Sequence, residues 1–212
     1  MLKLVGMLDS PYVRRVAVSL QLLGLRFEHR PLSVLRQFDE FSRLNPVVRV
    51  PTLVSEDGIV LMDSTLILDY AERLARPRSL MPPEPMAYQQ ALRCLGLALA
   101  AADKTVALFY ERNLRPPEKQ YAPWIERIEG QVRAAYAELE AELARQPLDV
   151  DAATLTQPLL SAAVFWHFTQ RALPGLVPVE AHPALAALSA RCEALPAFRA
   201  APHGEAAVQL PG

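Results

Sequence analysis

The chain of 212 residues is poor in cysteine and histidine, and both shortages exclude classes of chemistry. Its 2 cysteines cannot build the disulfide framework of a small secreted domain. Cys94 and Cys192 are far apart and form no CxxC pair, so we expect two buried structural thiols. The 4 histidines show no ligand spacing, and we therefore predict no metal site.

The chain also lacks an excess of charge and a long apolar run. A net charge of -1 without a basic run argues against nucleic acid as a partner. The most apolar stretch, residues 94–110, is interrupted by Asp103 and Lys104 and is too short to cross a bilayer. The N-terminus shows no signal-peptide pattern. These absences lead us to expect a cytoplasmic protein with no membrane partner.

The first part of the chain, residues 1–76, alternates between strand-like and helical patterns. A turn signal at Glu56-Asp57-Gly58 predicts a hairpin between two of the strands. One parallel crossover and one hairpin together predict a mixed sheet in an α/β domain. The expected strands are 2–5, 26–31, 51–55 and 59–62; the expected helices are 11–23 and 64–74, with a short helix or irregular segment at 33–44.

The second part is different in kind. Residues 77–85 are rich in proline and read as a linker. After them almost no strand pattern is left, and residues 86–212 predict an all-α helical bundle. The expected helices are 86–114, 121 or 124 to 146, 156–172 and 183–195.

Ser10 and Pro11 stand where the first strand turns directly into a helix. This places a hydroxyl at the N-cap, beside free backbone N–H groups and the positive end of the helix dipole. Such a place holds a thiolate or another anion, although the same two residues also make an ordinary cap. Glutaredoxin-like proteins carry Cys-Pro-Tyr-Cys at this turn. Both sulfurs are absent here, so sulfur chemistry would need a thiol supplied by a bound ligand.

Two further pairs offer recognition of an amino-acid-like ligand. Pro51 precedes a strand; with a cis Val50-Pro51 bond, the Val50 backbone would pair with an extended peptide, and with a trans bond it would simply begin the strand. Asp63 and Ser64 precede a helix and offer a carboxylate to an amine and a hydroxyl to a carboxylate. A plain capping pair is the alternative.

Taken together in this order, these motifs resemble the N-terminal domain of cytosolic glutathione transferases, in particular bacterial members with a serine-type active site. The resemblance implies a thioredoxin-like domain over residues 1–76, a helical C-terminal domain, a cis Val50-Pro51 bond and a homodimer. The matching residues are Ser10-Pro11-Tyr12-Val13-Arg14-Arg15, Asn45-Pro46, Arg49-Val50-Pro51-Thr52-Leu53, and Asp63-Ser64 with Ile67 and Tyr70.

The resemblance also implies roles for individual residues toward glutathione as co-substrate. Ser10 would hydrogen-bond the sulfur, and Val50, next to Pro51, would pair with the cysteinyl backbone. Asp63 and Ser64 would hold the γ-glutamyl end. The remaining two assignments are Arg49 at the glycyl carboxylate and Asp103, reaching across the dimer from the partner subunit, at the γ-glutamyl amine. For Asp103, exposure to solvent or a local pair with Lys104 is the alternative.

The expected function is conjugation of the glutathione thiolate to small, apolar electrophiles in detoxification. The electrophile would lie between the domains, against the first part of the long helix and the Ser10 loop. Its wall would comprise Leu8, Tyr12, Phe109 and Tyr110, although the last two also suit the bundle core. A non-catalytic scaffold and a glutathione-dependent peroxidase or disulfide reductase are the alternatives.

The chain departs from the family pattern at two places. Val47-Val48 replaces the small or glycine-containing residues common there, which predicts a stiffer loop beside Arg49. Thr156 lacks an acid three residues later, so the helix that follows lacks the reciprocal bond of a capping box.

Overall fold

The computed structural model describes residues 1–145 and 150–209, which fall into two compact units. The first unit joins Met1–Leu80 to Ala194–Gly212, and the second is Met81–Glu193. The division after Leu80 lies within the expected linker. In contrast, the residues from Ala194 onward, which we expected in the helical domain, group with the first unit.

The first unit is built on a four-stranded mixed sheet, as predicted. Its strands are β1 (Leu2–Val5), β2 (Phe27–Arg30), β3 (Thr52–Val54) and β4 (Val60–Met62), in the order β2-β1-β3-β4. β1 and β2 are parallel, as a helical crossover requires, and the other two pairings are antiparallel. Gly58, at φ +86°, supplies the left-handed residue of the β3–β4 turn.

Three helices accompany the sheet: α1 (Pro11–Leu22), α2 (Phe38–Leu44) and α3 (Ser64–Leu74). Gly24, with φ +73°, follows the end of α1, where a left-handed glycine commonly terminates a helix. Nearly every side chain of α1 is buried, including those of Arg14 and Arg15. A helix enclosed on all sides must find internal partners for its charged groups.

The second unit contains four long helices: α4 (Pro85–Asn113), α5 (Ala122–Ala144), α6 (Gln157–Ala172) and α7 (Pro183–Glu193). These agree with the predicted helices within one or two residues, except that the predicted end of α5 at Gln146 lies outside the described residues. Thr156 stands at the N-cap of α6, but the structure gives its side chain no capping hydrogen bond. None of the helices in residues 1–145 and 150–209 is long and apolar enough to cross a membrane.

A buried polar cluster links three helices of the second unit. The Tyr136 hydroxyl lies 2.6 Å from Thr169 Oγ1, which lies 3.0 Å from Thr105 Oγ1. All three side chains are buried, so each hydroxyl has a partner in place of water. The cluster fixes how α4, α5 and α6 are aligned, because sliding one helix would leave a buried hydroxyl unpaired.

A short last helix, α8 (Pro196–Ala200), belongs to the first unit and was not expected from the sequence. It packs against α1 through Arg14. Arg14 Nε donates to the Ala201 carbonyl at 2.8 Å and Nη2 to the Phe198 carbonyl at 3.5 Å. The guanidinium carbon also lies 5.6 Å from the centre of the Phe198 ring. The end of the chain thus supplies the acceptors for a cation buried in α1.

Candidate functional site

Ser10 caps the N-terminus of α1, as the sequence predicts. Its backbone is extended, Pro11 occupies the first helical position, and Ser10 Oγ accepts a hydrogen bond from the Val13 N–H at 3.4 Å. This capping bond uses a lone pair of the hydroxyl oxygen and leaves its proton able to donate. Ser10 can therefore cap the helix and stabilise an anion at the same time.

Gly6 allows the Ser10 turn to lie against the Val50 loop. A Cβ at this position would lie 2.6 Å from Val13 Cγ2 and 3.0 Å from Val50 Cγ1. Gly6 also has φ +138°, which side-chain-bearing residues rarely adopt. The Val50-Pro51 bond is cis, as the resemblance to glutathione transferases implies. The first turn of α1 and the Val50 loop are therefore neighbours in the folded first unit.

Hydrogen bonds within the loop hold Arg49 and Val50 in place. The buried Asn45 amide donates to Thr52 Oγ1 at 2.9 Å, and Thr52 Oγ1 donates to the Arg49 carbonyl at 2.7 Å. Val48 has φ +52°, a left-handed conformation that a β-branched residue adopts only at a cost of about 1–2 kcal/mol. The stiff loop expected at this position is thus held in a conformation that suits glycine.

Asp63 occupies the N-cap of α3, with φ +70°. Its carboxylate accepts a hydrogen bond from the Thr65 N–H at 2.9 Å. The second carboxylate oxygen lies 3.7 Å from Arg49 Nη2; the Arg49 side chain is 61% exposed and that of Asp63 44%. An exposed ion pair of this kind contributes little to stability, so both charges stay available to a ligand. The contact also joins the Val50 loop to the start of α3.

Arg15 joins α1 to the same end of α3, a role that was not predicted from the sequence. Its Nη1 donates to Ser64 Oγ at 2.9 Å and to Thr65 Oγ1 at 3.2 Å. The side chain is 1% exposed, and burial lowers the pKa of Arg15 to about 10, against the opposing effect of Asp63. The guanidinium is therefore charged at neutral pH. One feature of the sequence indicates this role: Arg15 is a charged residue among the apolar residues of α1, and a buried cation requires a partner.

Ser64 differs from what the sequence suggested. It is 4% exposed and its oxygen accepts from Arg15, whereas the exposed hydroxyl at this helix start belongs to Thr65. The anion-binding end of α3 is thus a pair of hydroxyls with a buried cation behind them. Of this pair, only Ser64 was predicted from the sequence to contact a ligand.

The residues expected to line the second-substrate pocket divide between the two units. Leu8 is fully buried and offers a ligand no surface, contrary to expectation, while Tyr12 is half-buried. Phe109 and Tyr110 lie in the last turns of α4, not in its first part. Phe109 is half-buried, and Tyr110, 46% exposed, lines an open cleft of about 400 Å³ within the second unit. The cleft is lined by Ala107, Tyr110, Glu111, Leu114, Arg115, Pro116 and Lys119.

Asp103 is exposed and pairs with its neighbour Lys104, which agrees with the alternative to a cross-subunit role. Its side chain is 66% exposed and pairs with Lys104 Nζ at 3.0 Å. No group of His, Cys, Asp or Glu side chains suited to a metal ion occurs in the described part of the chain. The cross-subunit role of Asp103 stays a prediction.

The C-terminal segment reaches the Gly6 region through His29. His29 Nε2 lies 2.8 Å from the Gly6 carbonyl, and the Val208 N–H donates to His29 Nδ1 at 3.0 Å. Accepting at Nδ1 requires a neutral ring that carries its proton on Nε2. Burial lowers the pKa of His29, which favours this neutral form. Arg36 and Glu205 form a second, exposed link at 2.7 Å.

Known proteins provide an independent comparison for this geometry. Residues 4–79 match the family model described as glutathione S-transferase, N-terminal domain. The uncharacterized GST-like protein YibF of Escherichia coli is 26% identical over 174 residues, which cover 82% of this chain and 86% of YibF.

Solved structures match nearly the whole chain. A glutathione S-transferase from Methylobacterium radiotolerans, in complex with glutathione sulfonate, is 29% identical with a TM-score of 0.82; the match covers 93% of this chain and 92% of that one. A glutathione transferase family member from Pseudomonas fluorescens, with bound glutathione, is 30% identical with a TM-score of 0.77 and coverages of 95% and 98%.

Proposed function

We propose that this chain, which belongs to the glutathione transferase family, binds glutathione in its first unit and activates the thiol with Ser10. One observation carries the proposal. The start of α1, the Val50 loop and the start of α3 are held together by Gly6, the Arg49–Asp63 pair and Arg15. These three segments bear a hydroxyl donor, a backbone that precedes a cis proline, and charged partners for the ends of a ligand, and a short thiol peptide requires all three.

The Ser10 hydroxyl would stabilise the glutathione thiolate. A free thiol has a pKa near 8.5, and lowering it by about 2 units requires roughly 2.7 kcal/mol. A charge-assisted hydrogen bond supplies about 1.5–3 kcal/mol, and the N-terminus of α1 adds about 0.3–1 kcal/mol. The two effects together match the required free energy. The thiolate would then attack a small, apolar electrophile.

The rest of the peptide would bind by its backbone and its ends. Val50 would pair with the cysteinyl backbone like an added strand. Asp63 would bind the γ-glutamyl amine, and the Ser64 end of α3 would bind the carboxylate beside it. Arg49 would exchange Asp63 for the glycyl carboxylate, which costs little because the observed ion pair is exposed.

Calorimetry with glutathione and turnover of a panel of electrophiles and hydroperoxides test the proposal. We expect Ser10→Ala to raise the pKa of the bound thiol and lower kcat, while glutathione affinity stays within a few-fold. Absence of glutathione binding by the wild-type chain would refute the proposal. Binding without turnover would indicate a scaffold, and turnover of hydroperoxides alone would indicate a peroxidase.

We also propose a cytoplasmic homodimer in which Asp103 contacts the glutathione of the partner subunit. Its exposure leaves it accessible to such a contact. Asp103→Asn should weaken glutathione binding without changing the mass of the dimer in light scattering. Glu118→Gln, at another exposed acid on the second unit, is the control. Equal affinities of both variants and the wild type would contradict the cross-subunit contact.

A further inference from the structure

We propose that Arg15 is a positioning residue that makes the start of α3 selective for the γ-glutamyl carboxylate. This inference rests on the proposed function. Arg15 lies behind Ser64 and Thr65 and acts through them, without touching the ligand itself. Its two hydrogen bonds to their hydroxyl oxygens carry the proposal.

The direction of these hydrogen bonds determines what the hydroxyls can do. A guanidinium only donates, so Arg15 occupies a lone pair on Ser64 Oγ at 2.9 Å and on Thr65 Oγ1 at 3.2 Å. Neither hydroxyl proton can then point at Arg15. Both hydroxyl protons are therefore directed away from Arg15, and each oxygen keeps one further lone pair. A carboxylate accepts from both protons, whereas an ammonium group could use only the remaining lone pairs, beside a buried cation that repels it.

Charge favours the same ligand group. The Arg15 side chain is 1% exposed, and in this setting its positive charge is screened little by solvent. It adds to the positive end of the α3 dipole at the same place. Asp63 stands at the rim, where its exposed carboxylate suits the neighbouring amine. The site therefore presents donors beside an acceptor, in the pattern of an amino-acid end group.

Arg14 provides a matched comparison on the same helix. It is equally buried, but it donates to the backbone carbonyls of Ala201 and Phe198 and not to the start of α3. A buried arginine of α1 can thus be altered without touching Ser64 or Thr65. Comparing a variant of Arg14 with a variant of Arg15 therefore distinguishes a positioning role at Ser64 and Thr65 from a general disturbance of α1.

The test compares two peptides, glutathione and an analogue that lacks only the γ-glutamyl α-carboxylate. Arg15→Lys should bind glutathione roughly tenfold to a hundredfold more weakly, as expected for weakening a charged hydrogen-bond network. Its affinity for the analogue should match that of the wild type. KM for glutathione should rise while kcat at saturation and the pKa of the bound thiol stay unchanged. Arg14→Lys should not discriminate between the peptides.

Thr65→Val provides a second route should Arg15→Lys fold poorly, because Thr65 is exposed and valine keeps the shape. It should also weaken glutathione and spare the analogue. Equal weakening of both peptides by either variant, or wild-type affinities for both, would overturn the inference and leave the proposed function standing. A wild-type chain that binds neither peptide would overturn both.

Discussion

Arg14 and Arg15 are neighbours in sequence and equally buried, yet they tie α1 to different parts of the first unit. Arg14 holds the backbone of α8, while Arg15 holds two hydroxyls at the start of α3. The difference lies in the acceptors. A carbonyl engaged by a cation can only accept, whereas a hydroxyl engaged by a cation still has a proton to donate to a ligand. Equal burial therefore does not imply equal function.

The largest expected effect on stability concerns the contact between α8 and Arg14. Phe198 is fully buried and lies over the Arg14 guanidinium. Phe198→Ala should lower the free energy of unfolding by about 3–5 kcal/mol, because it removes a large core side chain. Urea denaturation measures the loss. Phe38→Ala, the same change at a largely exposed position, is the control. Similar losses for both would show that α8 does not support the first unit.

Removing Arg14 itself should have the next largest effect. Arg14→Met leaves the Ala201 carbonyl without its donor, and an unpaired buried acceptor costs about 1–3 kcal/mol, whereas the Phe198 carbonyl keeps the Ala201 N–H at 3.2 Å. We expect a loss of about 1–3 kcal/mol in urea denaturation. Under conditions where the variant is folded, calorimetry should show wild-type affinity for glutathione. A large loss of affinity would break the distinction from Arg15.

The pH dependence of stability should distinguish the contact between His29 and the C-terminal segment from the contacts of Arg15. Burial lowers the pKa of His29, so the unfolded chain binds the proton more readily than the folded one. The stabilisation is complete above pH 6.5 and is lost as the pH falls through the lowered pKa of the folded state. Protonation also abolishes the hydrogen bond from Val208, worth about 0.5–1.5 kcal/mol.

Denaturation across this range, compared with His29→Gln, measures the contribution of His29. The variant should show a smaller decline in stability as the pH is lowered. Arg15, with a pKa of about 10, does not titrate in the same range. Identical pH profiles of the variant and the wild type would assign the decline to other groups.

The smallest expected effect lies in the loop beside the site. Val48→Gly removes a left-handed valine, which gains about 1–2 kcal/mol, but the added freedom of the unfolded chain costs about 0.5–1 kcal/mol. A net gain below about 1 kcal/mol should appear in thermal unfolding. Val47→Gly, at an exposed neighbour without positive φ, should instead destabilise. A loss at both positions would show that packing of Val48 outweighs its strain.

Much of the fold follows from local patterns in the sequence. The alternating strands, the glycine after α1 and the turn at Asp57-Gly58 each act over a few residues, and the sheet follows from their order. α8 could not be placed in this way. A five-residue helix carries little periodicity, and its attachment depends on contacts with Arg14, 184 and 187 residues away in sequence.

The site was predictable where a residue acts at its own helix terminus and not where it acts across the fold. Ser10 and Asp63 cap α1 and α3 from positions readable in the sequence. The assignment of Arg15 to Ser64 and Thr65 requires the packing of two helices, which spacing does not contain. The burial of Leu8 was missed for the same reason.

The attachment of α8 to Arg14 has a consequence for the order in which the protein is made. A ribosome releases residues 1–80 before residues 81–193, and domains generally fold as units during synthesis, the earlier one first. Two acceptors of Arg14, however, are the carbonyls of Phe198 and Ala201, which are synthesised 184 and 187 residues after it. The first unit therefore acquires α8 only after the whole of the second unit has been synthesised.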